Sequence, residues 1–262
     1  MDKQHAADKF VKLLEIVETL RGPDGCPWDK EQTHASLLPY FIEEAYEVME
    51  SVDEGNWETF QEELGDIMLH VALQTQIAAE NSKFTIADSL DTVNKKLVRR
   101  HPHVFGDKKA DVAFEAKQNW EATKHKEKNR KSRLDGVPSA LPALTRAQRL
   151  QQKAAYAGFD WENVDDVWEK LHEEIDELKS AHEAGDTENI KEEIGDVLFS
   201  VVNLARYIDI PAEDMLRATN RKFTYRFEKI EEELEAKGKK LEESTLEEMD
   251  EIWERAKGIR NT

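Results

Sequence analysis

Glu44, Glu47, Glu63 and Asp66 form an E-x-x-E…E-x-x-D pattern, and Glu174, Glu177, Glu193 and Asp196 repeat it. Within each pair the acids are three residues apart, so on a helix they share one face. A glycine marks the midpoint of each pattern. Glu47 and Glu63 lie eight residues from Gly55, and Glu44 and Asp66 lie eleven away. Gly185 stands at the same distances from Glu177 and Glu193, and from Glu174 and Asp196. If each glycine turns an antiparallel helical hairpin, equal distances bring residues to the same level. Four carboxylates then converge in each half.

These eight acids each precede an apolar or small residue: Ala45, Val48, Leu64, Ile67, Ile175, Leu178, Ile194 and Val197. The spacing predicts that those residues form a buried stripe, with the acids at its border. Glu183, Glu188 and Glu192 fall on the outer face and serve solubility. Like charges at a buried edge repel one another and are costly to desolvate unless a cation compensates them. An all-oxygen donor set points to a hard ion, Mg²⁺ or Mn²⁺, rather than zinc. A di-iron bundle site would need Glu-x-x-His pairs, and Asp66 and Asp196 stand where the histidines would be.

Cations and tryptophans recur one helical turn apart. Lys222 and Arg226 match Lys96 and Arg100, and Trp253 and Lys257 match Trp120 and Lys124. Carboxylates for a metal, Lys and Arg for phosphates and Trp for a base suggest a Mg²⁺–polyphosphate ligand. The chain has no glycine-rich phosphate loop, so the metal and side chains must grip the ligand.

The elements that must carry these residues are helical. Hydrophobic residues make up 39% of the 262 and charged residues 35%, while Gly (11) and Pro (7) are scarce, a composition that favours an all-α fold. Apolar periodicity predicts helices up to Leu20, over about 37–53, 57–80 and 86–100, up to Ala157, on both sides of "EAGD", from about Ala212, and to about Lys257. A charged stretch, "KHKEKNRKSR", and the following "LDGVPSALPAL" mark a linker at 125–141 between domains at 1–124 and 142–262. "GCPWD" and "GFDWE", "EELGDIML" and "EEIGDVLF", and "NKKLVRR" and "NRKFTYR" occur in the same order in both halves, the mark of an internal duplication.

A net charge of −19 argues against nucleic-acid or anionic-membrane binding. The single cysteine, Cys26, excludes an intrachain disulfide and suits a reducing compartment. The polar N-terminus and the lack of a long apolar run lead to the expectation of a cytoplasmic protein.

The motifs "GCPWDKEQT", "EEAYE…EELGD", "RRHPHVF", "LPALTRAQRLQ", "GFDW" and "EEIDE…EEIGD" resemble those of the MazG family of nucleoside triphosphate pyrophosphohydrolases, in its two-domain form and over essentially the whole chain. The resemblance implies an all-α, homodimer-forming fold that hydrolyses an NTP to NMP and pyrophosphate with Mg²⁺. It implies that Glu174, Glu177, Glu193 and Asp196 are metal ligands, that Lys222 and Arg226 contact phosphates, and that Trp253 and Lys257 make further nucleotide contacts. Glu173 then has the role of a supporting group or water orienter beside Glu174.

Three differences favour the C-terminal half as the main site. Lys170, one turn before Glu174, can reach a phosphate where the other half has Tyr40. Asn203, two turns after Asp196, can meet a base or sugar where the other half has Leu73. The helix of Lys222 and Arg226 can continue, whereas that of Lys96 and Arg100 meets Pro102. Two rival readings are a narrower dUTPase- or dCTPase-like hydrolase on the same plan, and a non-catalytic acidic helical scaffold that binds a partner protein.

Overall fold

The computed structural model describes residues 2–106 and 131–258. Among them there are eleven α-helices and no strand. The contacts divide the chain into two compact units, Met1–Ala116 and Lys117–Thr262. Trp120, Lys124 and residues 125–130 of the expected linker lie outside the described residues, and 131–141 carry no helix.

The first unit contains α1 (Lys3–Arg21), the short α2 (Pro27–Glu31), α3 (Leu38–Glu54), α4 (Trp57–Glu80), α5 (Ile86–Arg100) and the short α6 (Pro102–Phe105). The second contains α7 (Ala143–Tyr156), α8 (Val164–Ala184), α9 (Thr187–Tyr207), α10 (Ala212–Ala236), a 3₁₀ turn at Leu241–Glu243, and α11 (Leu246–Gly258).

The same turn chemistry builds both hairpins. Gly55 ends α3 and Gly185 ends α8, each with φ 68°, a left-handed conformation that glycine adopts without a Cβ clash. The next residue then caps the returning helix. The Asn56 side chain accepts from the Thr59 amide, and the Asp186 side chain accepts from the Asn189 amide. The pairs α3–α4 and α8–α9 therefore start and stop in register, which places the mirrored acids level with each other.

Each hairpin packs one face internally. Val17 of α1 lies in a core with Leu37, Ala72, Leu73 and Ile77. In the second unit Val167, Leu171 and Leu204 form the corresponding core. The far half of α10 pairs with α11 through Ile230, Leu234 and Ile252. α7 is tied to the start of α10 by Gln148, whose Nε2 donates to the Ile210 carbonyl at 2.9 Å and whose Oε1 accepts from the Ala212 amide at 3.0 Å.

The expected buried stripe is open. Leu64 and Ile194 are exposed, and the other six residues are half-buried. Ile194, Leu198 and Val201 on α9 are all exposed, as are Leu38, Ile42 and Tyr46 on α3 and Leu64, Met68 and Val71 on α4. A two-helix hairpin has two broad faces, and α1 or α7 with the surrounding loops covers only one. No described helix is long and apolar enough to cross a membrane.

Candidate carboxylate centres and the adjoining cavity

In the first unit, carboxylate oxygens of Glu44, Glu63 and Asp66 lie within 4.8 Å of one another. Burial, followed by the charges of Asp66, Glu47 and Glu63, pushes the Glu44 carboxyl up to about 7. Burial and the Glu47 charge also raise Glu63. All four expected acids thus act on one another. His70, one turn beyond Asp66, places Nε2 3.9 Å from Oε1 of Glu44 and sets its ring edge-on to Phe41. Burial lowers its pKa, against the opposing pull of the Asp66 charge.

In the second unit, oxygens of Glu174, Glu177 and Glu193 lie within the same 4.8 Å limit. Asp196 is outside that set but faces the same centre. Glu193 is held above the usual carboxylate range by burial and then by the charges of Glu177, Glu174 and Asp196. Glu174 is the buried member, 7% exposed. Lys170 Nζ donates to Glu174 Oε1 at 2.9 Å and to Glu173 Oε1 at 2.6 Å, and both bonds raise the lysine pKa. Glu173 itself is exposed and meets the centre only through Lys170.

Both donor sets suit a hard divalent cation. Each consists of carboxylate oxygens from two helices, and their mutual repulsion is the kind that a divalent charge relieves. Magnesium, with its preference for oxygen donors, fits that chemistry.

Beside the second centre lies a cavity of about 600 Å³. Glu174, Asp196, Asn203 and Gln151 line it, and Phe159 and Trp161 of the loop before α8 add aromatic wall. Its size falls within the range of small-molecule sites. In the first unit Leu73 occupies the position of Asn203 and is buried in the core instead.

Of the expected nucleotide contacts, Lys170 and Asn203 line this cavity, whereas Lys222, Arg226, Trp253 and Lys257 do not. Those four gather on α10 and α11. The Arg226 guanidinium lies 5.3 Å from the Trp253 ring, which also meets Phe223 edge-on. Lys222 and Lys257 are exposed, and Lys257 pairs with Glu254. In the first unit Lys96 is half-buried and Arg100 is buried, at the end of a helix that stops before Pro102.

Four residues at these sites were not singled out by spacing. His70 had a signal, its four-residue step from Asp66. Phe159 and Trp161 lay in a recognised motif, "GFDW", without a role. Gln151 likewise ended a recognised motif, "LPALTRAQRLQ", without a role, because its importance comes from the helix it faces.

A tandem of helical hairpins, each presenting clustered carboxylates suited to a hard divalent cation, is the class that this fold and these sites define. The model of the MazG nucleotide pyrophosphohydrolase domain matches the chain twice, at residues 32–105 and 163–231. The nucleoside triphosphate pyrophosphohydrolase/pyrophosphatase MazG of Thermotoga maritima is 49% identical over 251 residues, covering 95% of this chain and 96% of that one. The nucleoside triphosphate pyrophosphohydrolase of Escherichia coli K12 is 41% identical over 256 residues, covering 95% and 97%. YabN of Bacillus subtilis, named as uncharacterized, is 48% identical over 252 residues, which make up 52% of its length. The chain belongs to the MazG family.

Proposed function

We propose that this chain is a Mg²⁺-dependent nucleoside triphosphate pyrophosphohydrolase of nucleotide-pool housecleaning, with its main site in the C-terminal half. The observation that carries this reading is the junction of Glu174 and Asp196 with an apolar, nucleoside-sized cavity. The names and near-complete coverage of the Thermotoga and Escherichia relatives support the activity.

In this reading Glu174, Glu177, Glu193 and Asp196 hold the metal, and Glu44, Glu47, Glu63 and Asp66 form the corresponding N-terminal set. Bound there, Mg²⁺ supplies charge neutralisation for the polyphosphate and for the departing pyrophosphate. Glu174 orients the attacking water toward the α-phosphorus, and Glu173 supports it through their shared lysine. That lysine, Lys170, is fixed at the mouth of the carboxylate centre, where its remaining donor capacity serves a phosphate oxygen. Phe159 and Trp161 stack the nucleoside and exclude water around it. Attack by water at the α-phosphorus breaks the α–β bridge and yields NMP and pyrophosphate.

Homodimerisation belongs to the same proposal. The exposed Ile194–Leu198–Val201 and Leu64–Met68–Val71 stripes are apolar, continuous over two turns and left uncovered by the described residues. The Lys222, Arg226, Trp253 and Lys257 group lies off the cavity, and a second copy can bring such a group to it.

The test is pyrophosphate release from an NTP panel, with and without Mg²⁺, for wild type, Glu44→Gln and Glu174→Gln. The expected result is Mg²⁺-dependent pyrophosphate that Glu174→Gln abolishes. Orthophosphate as the product sinks the bond assignment, and loss confined to Glu44→Gln moves the main site to the other half.

A further inference from the structure

Two amide side chains line the C-terminal cavity, and their neighbours determine which atom each presents. Gln151 on α7 is 8% exposed, and its Nε2 donates to the Phe199 carbonyl at 2.9 Å. A carbonyl oxygen only accepts, so the amide nitrogen is the end that must face it. Gln151 Oε1 is left buried with no partner among the described residues. Such an acceptor is costly to keep unless something supplies an N–H or O–H.

Asn203 is oriented with equal clarity. Its Oδ1 accepts from Arg206 Nε at 2.9 Å, and a guanidinium has no acceptor, so the oxygen is the end that must face it. Arg206 is in turn held by a bidentate pair with Asp160, at 3.0 and 2.6 Å. The Asn203 Nδ2 donors remain for a ligand. Both residues line the cavity, together with Phe159, Trp161 and the carboxylates Glu174 and Asp196. Gln151 lies outside both segments that the family model matches.

We propose that Gln151 and Asn203 read the hydrogen-bonding edge of the nucleobase, Gln151 Oε1 accepting a base N–H and Asn203 Nδ2 donating to a neighbouring carbonyl oxygen or ring nitrogen. This rests on the nucleotide reading of the cavity and adds what selects the base. The site distinguishes substrates by the base edge and not by the triphosphate alone. A base whose N–H is replaced by a methyl group leaves Gln151 Oε1 orphaned and is rejected.

The experiment compares each canonical NTP with a counterpart methylated at that edge: UTP with N3-methyl-UTP, GTP with N1-methyl-GTP, and ATP and CTP with their exocyclic N,N-dimethyl forms. Wild type is expected to lose about 10-fold or more in kcat/KM on methylation of its preferred base. Gln151→Met keeps the side-chain volume and removes the acceptor, and it should bring parent and methylated substrates to within about 3-fold of each other. Asn203→Leu installs the residue found at the matching N-terminal position. It should raise KM for the preferred NTP by about 10-fold while kcat stays within about 3-fold. Circular-dichroism melting establishes that both variants are folded.

Equal handling of parent and methylated substrates by wild type overturns the proposal. So does discrimination that survives in Gln151→Met, which would make the effect steric. If wild type releases no pyrophosphate from any triphosphate, the nucleotide reading itself fails and the proposal with it. Turnover without edge discrimination removes the proposal and leaves that reading standing.

Discussion

Glu44 and Glu174 occupy matching places in two hairpins built on the same turn, but they meet different neighbours. Glu174 is buried against a cationic lysine at 2.9 Å, and that lysine also holds Glu173. Glu44 has a buried histidine at 3.9 Å and carries a carboxyl pushed up to about 7. At the lysine position the first unit has Tyr40, which sets its ring edge-on to Trp28. Two turns beyond the acids, Asn203 lines a cavity while Leu73 fills a core. The comparison teaches that a duplicated donor set does not make a duplicated site. One half pairs its buried acid, Glu174, with a lysine beside a cavity, whereas the other sets Leu73 in a core and gives Glu44 only a histidine among its fellow acids.

The sharpest way to break the comparison is to remove one acid from each centre. Glu174→Gln is expected to lower kcat by roughly 100-fold or more, as loss of a group that acts on the reacting phosphate does. Glu44→Gln should leave kcat within about 3-fold. Quenched-flow pyrophosphate assays at saturating Mg²⁺ measure both, and equal losses would make the halves equivalent.

Converting one half toward the other should have a smaller effect. Lys170→Tyr installs the N-terminal residue, frees Glu173 and Glu174 from their shared cation, and is expected to cost about 10-fold in kcat/KM. The reciprocal Tyr40→Lys should not raise turnover, because Leu73 still fills the neighbouring space. Steady-state kinetics on both variants decide whether the lysine or the cavity makes the difference.

The open stripes provide a further comparison. Leu198→Glu on α9 and Met68→Glu on α4 each place a charge in an exposed apolar row. If the rows join two copies, either change should weaken dimerisation by roughly 10-fold or more in Kd, because an unpaired charge is costly to bury. Sedimentation equilibrium measures this. An unchanged mass distribution for both variants would show that the rows do not form the interface.

The smallest expected effect concerns pH. The folded-state pKa of Glu44, about 7, lies above the ordinary value of 4.5. The folded protein therefore binds more protons than the unfolded chain between those values, and stability falls as pH rises through that window. In chelated protein, Glu44→Gln should raise Tm at pH 8 by a few degrees, and the gain should vanish below about pH 4.5. Added Mg²⁺ should reduce the gain by stabilising the charged wild-type centre. Calorimetric melts across pH read this directly, and a gain that persists at low pH would trace to something other than the acid cluster.

Much of this architecture was legible in the sequence, because the relevant information is local. The steps of three residues in Glu44–Glu47 and Glu193–Asp196 fix a shared face through the helical repeat alone. The equal distances from Gly55 and Gly185 fix the level of the acids once the glycine turns the chain. The segments 57–80 and 86–100 could be read to the residue, since Asn56 and Thr85 cap one end of each. The stripe beside the acids was legible as apolar but not as open, since a pattern of hydrophobic residues says that they avoid water and not which surface covers them. What the sequence by itself determined, then, was the helices, the duplication and the two acid quartets. Only the tertiary structure decided that Gln151 faces Phe199, that Arg206 orients Asn203, and that Lys170 spends its charge on Glu173 and Glu174. Those contacts join residues on separate helices or depend on rotamers chosen by packing, and neither is encoded in spacing along one helix.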